Sequence, residues 1–230
     1  MRAFRGLTIA AVLLVNAGAA GAQASRGFKD SWFWGAKTGL LNYQVLDNAV
    51  AESPLALMAG GDWLITRTKG GLYVSFDHTF FSANVFVNDS VSPLVTSPRP
   101  VALSGLRRFT LAGMLFPLQT YRMHPYLGFG FSLSHISSAE PQPVPYLTTN
   151  LYLNSTQQNL VLSTIQFFRS AATPVVILGT QLRLPLASAF GQITTTPAND
   201  NFFLFTGTGW RTTFEAGLRY NVGSSIDRVR

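Results

Sequence analysis

The chain has 230 residues, of which 47% are hydrophobic, 13% aromatic and only 12% charged, with a formal net charge of +7. That length suits one domain, and its cations are scattered without the cluster or stripe that nucleic-acid binding requires. The absence of cysteine removes a disulfide framework, a thiolate metal site and a cysteine nucleophile.

The first residues predict an export signal. Arg2 and Arg5 form a basic leader, Leu7 to Val15 an apolar core, and Ala22-Gln23-Ala24 an A-x-A cleavage site. Residues 1–24 are accordingly expected to be removed, leaving residues 25–230 as the working domain. Loss of Arg2 and Arg5 from the 17 basic residues leaves 15 against 10 acidic ones, a balance of +5. The apolar core is shorter than the ~20 residues a membrane helix needs, and no later stretch reaches that length without polar interruption.

Beyond the leader, apolar residues alternate with polar ones instead of forming continuous runs, which is the signature of strands with two different faces. From Trp32 to Val45, Trp34, Ala36, Thr38 and Leu40 share one face, and Gly35, Lys37, Gly39, Leu41 and Tyr43 the other. Leu55 to Arg67 sets Trp63 and Ile65 against Asp62, Leu64 and Thr66. After a tight turn at Thr68 to Gly71, Leu72, Val74, Phe76, His78 and Phe80 oppose Tyr73, Ser75, Asp77, Thr79 and Phe81. A fourth strand from Arg107 to Leu118 places Phe109, Leu111 and Leu115 opposite Arg108, Thr110 and Ala112. A turn at Gln119 to Met123 leads to a fifth, in which Leu127, Phe129, Phe131 and Leu133 oppose a row of Gly128, Gly130, Ser132 and Ser134. Val176, Leu178, Leu182 and Leu184 then oppose Gly179, Gln181 and Arg183. Past the Pro185-Leu186 turn, Ala187 to Thr196 reads as a short strand of ambiguous facing. The last strand carries Trp210, Phe214, Leu218, Tyr220 and Val222 on one face, and Arg211, Glu215, Arg219 and Asn221 on the other.

A water-soluble sheet hides its apolar face, yet here the opposite face holds the charges. A barrel turned inside out in lipid accounts for both. The predicted fold is all-β: a closed, antiparallel, up-and-down transmembrane barrel of eight strands. The connections after strands one, three, five and seven run from about nine to about thirty-five residues, and the others from about three to five, as extracellular loops and periplasmic turns do. The stretch from Ser138 to Ala172 has two readings. Asn154-Ser155 caps a short helix in the third extracellular loop, with Leu160, Val161, Ile165 and Phe168 as its apolar stripe. Alternatively, Val144 to Leu153 and Asn159 to Phe168 add two strands, making ten. The helical stripe fits the spacing better.

From Trp32 to Gly223 the chain resembles the small eight-stranded outer-membrane barrels of the OmpA transmembrane-domain and OmpX type. Glu215-Ala-Gly217-Leu-Arg-Tyr220-Asn-Val222 is similar to the C-terminal signal read by the barrel-assembly machinery, although Ser224 to Arg230 follow where the family ends in Phe. The resemblance implies the outer membrane of a Gram-negative-type envelope, assembly by that machinery, contact with outer-membrane lipids including lipopolysaccharide, and a monomer. No cofactor or metal is expected: His78 and His124 stand apart from any carboxylate pair at metal spacing, and no glycine-rich phosphate loop occurs.

Eight strands leave an interior just wide enough for side chains to fill. By parity Lys37, Asp62, Asp77, Arg108, Arg183, Arg211, Glu215 and Arg219 all point inward, so a network of lumenal ion pairs is expected, with an ion path as the alternative. Trp32, Trp34, Trp63, Trp210 and Tyr220 read as interfacial belts. One segment, Leu133 to Glu140, suggests chemistry. Its His135-x-Ser137 core is similar to that of the lipid A 3-O-deacylase family, and the resemblance implies Ser137 as nucleophile, His135 as general base and Glu140 as the orienting acid. Ser138 stands where that family has Asn, and Glu140 comes sooner than the family's acid. By parity His135 and Ser137 both face outward. The bland reading of His135 is a rim histidine. The expected role is that of a non-catalytic barrel with a plugged lumen, in an envelope-structural or surface-interaction role, with the esterase and a minor passive channel as alternatives.

Overall fold

The computed structural model describes residues 28–43, 45–47, 50–52, 54–88, 98–118, 122–142, 155–184, 187–199, 201–204 and 209–224. The expected signal peptide and its cleavage site lie outside them. Eight long strands, β1 (Ser31–Asn42), β4 (Leu55–Thr66), β5 (Gly70–Asn88), β6 (Pro98–Leu115), β7 (Met123–Pro141), β8 (Ser170–Arg183), β9 (Ser188–Pro197) and β10 (Trp210–Ser224), close into an antiparallel barrel. Each pairs with its neighbours in sequence, and β10 returns to pair with β1. A two-stranded sheet of β2 (Val45–Asp47) and β3 (Val50–Glu52) sits in the first long connection, and a helix, α1 (Ser155–Phe168), in the third. The eight-strand reading and its helix are therefore correct.

Facing follows the expected parity in every strand where a facing was assigned, except at the outer end of β7, where Ser137, expected outward, has its hydroxyl buried beside Gly105. On β1, Trp34 and Leu40 are exposed while Lys37 and Leu41 are buried; on β10, Phe214 and Leu218 are exposed while Glu215 and Arg219 are buried. The ambiguous β9 resolves with Ser188, Phe190, Gln192, Thr194 and Thr196 inward. The outer wall is a band of exposed apolar side chains such as Leu72, Leu111, Phe129, Phe131 and Leu178, which only hydrocarbon can solvate. Trp32 and Trp34 pack on Trp63 at 5.5 and 6.0 Å on the outside of one end, with Tyr220 paired beside Trp34, and Trp210 lies at the other end. These are the two interfacial belts.

Several strand boundaries differ from expectation. Val45 belongs to the small hairpin; β5 runs on past Phe81, β6 begins well before Arg107, and β7 extends through Ser138 to Pro141. For β5, β6 and β7 the cause is a bulge that breaks the period of two. Phe80 and Phe81 stand opposite the single Gly105, so that Leu103 and Leu106 both point inward. Gly105 adopts φ 63°, a conformation that glycine enters without steric cost. Above the bulge the strands enclose a second apolar core.

The lumen is filled in three layers. At the periplasmic end, Phe33, Leu64, Met114, Phe116 and Ile177 form an apolar plug with Phe28, which lies just before β1. Asp30 takes φ 55°, a left-handed turn that aspartate tolerates better than most residues. Phe28 then stacks on His124 at 4.0 Å and meets Phe116 edge-on at 4.8 Å, and its carbonyl accepts from the Thr66 hydroxyl. At the extracellular end, Leu41, Leu103, Leu106 and Ile136 join Ile165 of α1 and Phe202, Phe203 and Leu204 of the last loop. Of the expected helical stripe, Ile165 is buried and Phe168 packs on Phe203 at 5.6 Å, while the side chains of Leu160 and Val161 lie outside the described residues. The Phe203 amide donates to the Phe168 carbonyl, tying the loop to the helix end. The helix is thus a lid over the barrel. The charges lie between the two plugs.

If hydrocarbon surrounds this wall, Leu111→Arg, midway along the outer face of β6, should lower stability by about 2–4 kcal/mol. Urea unfolding of the refolded barrel in phospholipid vesicles measures it. An unchanged midpoint would mean that Leu111 does not face the bilayer core.

Candidate functional site

The middle layer is an ion network built from five strands. Lys37 of β1 bridges Asp77 of β5 at 2.9 Å and Glu215 of β10 at 2.7 Å. Arg108 of β6 bridges the same two carboxylates, at 3.2 and 2.7 Å. The four groups close a ring in which every charge touches two of opposite sign. Beside it, Arg219 of β10 holds Asp62 of β4 through Nε at 3.0 Å and Nη2 at 2.6 Å. All six side chains are at most 5% exposed, and three cations face three anions. Neutrality here is obligatory, because an uncompensated ion in such a site costs several kcal/mol.

Uncharged groups complete the network. Lys37 also donates to the Tyr73 hydroxyl at 3.0 Å and to Ser75 at 3.2 Å, and Arg108 donates to Thr213 at 3.0 Å. Gln192 donates to Glu215 at 2.8 Å and to Tyr73 at 3.1 Å, and accepts from Tyr126 at 2.8 Å, linking the ring to the neighbouring pair. Arg219 donates to Gln181 at 3.0 Å and lies 3.7 Å above the Phe190 ring centre, a cation–π stack. Small residues make the space. A Cβ on Gly35 would meet the Asp62 carboxylate and lie 2.8 Å from Cγ of Arg219, and one on Gly217 would lie 2.7 Å from the Phe190 ring.

Of the eight charges expected inside, these six meet in the network. Arg183 and Arg211 stand half-buried towards opposite mouths of the barrel. Gln192 and Phe190 were missed because the facing of β9 was ambiguous. Tyr73 and Gln181 had the right facing, but period alone says nothing about their hydroxyl and amide contacts.

The His135 segment is arranged differently from the proposed triad. His135 is exposed on the outer wall, and its Nδ1 lies 2.7 Å from the hydroxyl of Ser170, its cross-strand partner on β8. Glu140 accepts from Ser138 at 3.1 Å. The Ser137 hydroxyl is buried beside Gly105, with no hydrogen-bond partner. The three groups of the expected triad are therefore not linked to one another. His124 is not a free ligand either but part of the periplasmic plug, and among the described residues no three His, Asp or Glu side chains gather as a metal site.

The ring makes its own test. Glu215→Gln leaves Lys37 and Arg108 with one carboxylate between them and should cost roughly 3–5 kcal/mol, as breaking a buried pair does. Adding Lys37→Met restores neutrality through the remaining Arg108–Asp77 pair, so the double variant should be less destabilised than the sum of the singles. A double-mutant cycle on unfolding free energies that came out additive would mean the two groups act independently.

In sequence, no family model and no curated protein matches the chain. In shape it is similar to Neisserial surface protein A, with 12% identity over 85% of this chain and 99% of that one and a TM-score of 0.49. It is also similar to Ail, the attachment invasion locus protein of Yersinia pestis, with 9% identity over 84% and 99% of the two chains and a TM-score of 0.44. A third likeness is to the outer membrane protease OmpT from Escherichia coli, with 10% identity over 86% and 100% and a TM-score of 0.41. Likenesses this distant carry no role across. On its own strand pairing, its apolar outer wall and its charged interior, the chain is an eight-stranded outer-membrane β-barrel.

Proposed function

We propose that the protein is a non-catalytic, non-conducting integral barrel that acts as a monomer in an envelope-structural or surface-interaction role. The observation that carries this reading is the closed ionic ring held between two apolar plugs. An ion crossing the lumen would have to displace Lys37 or Arg108 from two carboxylates each. It would then have to pass Phe28 and Phe116 on one side, or Leu103, Ile136 and Phe202 on the other. Each step is unfavourable by several kcal/mol. The non-catalytic part is supported by the Ser137 hydroxyl being buried beside Gly105 and by Glu140 being engaged with Ser138, both apart from His135. On this reading β10, with Gly217, Tyr220 and Val222, is also the signal for the assembly machinery, and the outward role falls to the long extracellular connections.

The mature chain refolded into a planar bilayer should show no discrete current steps under applied voltage. Reproducible unitary steps, abolished by Glu215→Gln or shifted in ion selectivity by it, would replace this reading with that of a channel.

A further inference from the structure

The outer wall carries a polar row in the wrong place for a purely lipid-solvated surface. Register aligns His78 of β5 with Arg107 of β6, Arg107 with His135 of β7, and His135 with Ser170 of β8. Arg107, His135 and Ser170 are exposed and His78 is half-buried. The row therefore crosses four adjacent strands on the outside of the barrel. The next outward row towards the membrane is wholly apolar: Phe76, Phe109, Leu133 and Ala172, joined by the same registers. Arg107, His135 and Ser170 of the first row and all four residues of the second line one groove of about 470 Å³.

Depth and charge both identify the occupant. From Leu115 to Arg107, β6 climbs about 27 Å at ~3.4 Å per residue. That is about 20 Å along the membrane normal at the ~40° tilt of such barrels, close to the ~25 Å apolar band. The polar row thus sits where hydrocarbon gives way to headgroups on the extracellular side. Arg107 has no carboxylate beside it among the described residues, unlike Arg108, its neighbour in the chain. Arg169 adds a second cation next to His135, fixed by donation to the carbonyls of Ile136, at 2.6 Å, and Ser137, at 2.5 Å. A cationic ledge above an apolar floor is complementary to an anionic amphiphile.

We propose that this groove binds the phosphorylated headgroup of an outer-leaflet glycolipid of the lipid A type. Its phosphate lies on Arg107, with His135 and Ser170 as further donors, and an acyl chain lies along Phe109 and Leu133. The site is independent of whether the lumen conducts, so failure of the conductance test leaves it standing, and the reverse holds too.

Native mass spectrometry of the refolded mature chain tests it with bisphosphorylated lipid A and with the same lipid stripped of its phosphates. One phosphorylated lipid per barrel should be retained, with the stripped form at least tenfold weaker, and raised salt should weaken the wild-type complex without any substitution. Arg107→Gln should lower retention about tenfold, and Leu133→Asp should lower it as well. Arg122→Gln, at the opposite rim, should leave it unchanged, with the heat-modifiable gel shift confirming that each variant folds. Equal retention of the two lipids, an undiminished Arg107→Gln complex, or equal binding of phosphatidylglycerol would overturn the proposal.

Discussion

Inside a bilayer every backbone N–H and C=O must find its partner within the protein, and closure of β1 on both β4 and β10 meets that demand for this chain. Everything else follows from closure. Once eight strands join edge to edge, the interior width is set, and side chains must fill it. Because the outward positions are committed to hydrocarbon, the inward ones inherit all the polarity, and polarity in so narrow a space is tolerable only when paired. The ring of Lys37, Asp77, Arg108 and Glu215 is that pairing in its most compact form. Two carboxylates offer four oxygens to two cations from four different strands, so the ring also ties the wall across its diameter.

The plugs extend the same logic. A charged layer open to water at both mouths would be hydrated and less tightly paired. Phe28 folds into the barrel from outside β1, and Phe202 to Leu204 fold in from the last loop, so water is excluded from both sides. The left-handed Asp30 and the bulge opposite Gly105 are two backbone departures that permit this. Both lie at the boundary between the cylinder and the segments that close it, where regular geometry has to end.

Period two made most of this legible. It gave the strand count, the facing of seven of the eight barrel strands and all six members of the ion network, because one lipid-facing side leaves little freedom in where a charge can go. Legibility failed where an inward residue was not polar by itself. On β9 the inner face mixes Phe190 with Gln192 and Thr194, because Arg219 uses a ring as well as a carboxylate, and no alternation survives. It failed again at Gly105, where one extra residue on the facing strand reverses the parity of everything above it. His135 was legible as an outward residue. Its pairing with Ser170 was not, because that contact depends on a register set between two strands separated by a long loop.

Arg107 and Arg108 show how tightly the two environments are coupled. The residues are adjacent and identical, yet Arg108 is buried against Asp77 and Glu215 while Arg107 stands on the outer wall above Phe109. A slip of β6 by one residue that set Phe109 in the place of Arg108 would turn Arg108 outward and every other side chain of the strand to the opposite face. Phe109 and Leu111 would enter the lumen, and Asp77 would lose its arginine. Hydrophobic matching alone would oppose this slip, but the ion ring opposes it more sharply, since it removes a cation from a site that holds two carboxylates. The inner network therefore fixes the register of β6 against β5, and through that register it aligns His78 with Arg107 on the outside. The lumen and the outer rim are two faces of one constraint.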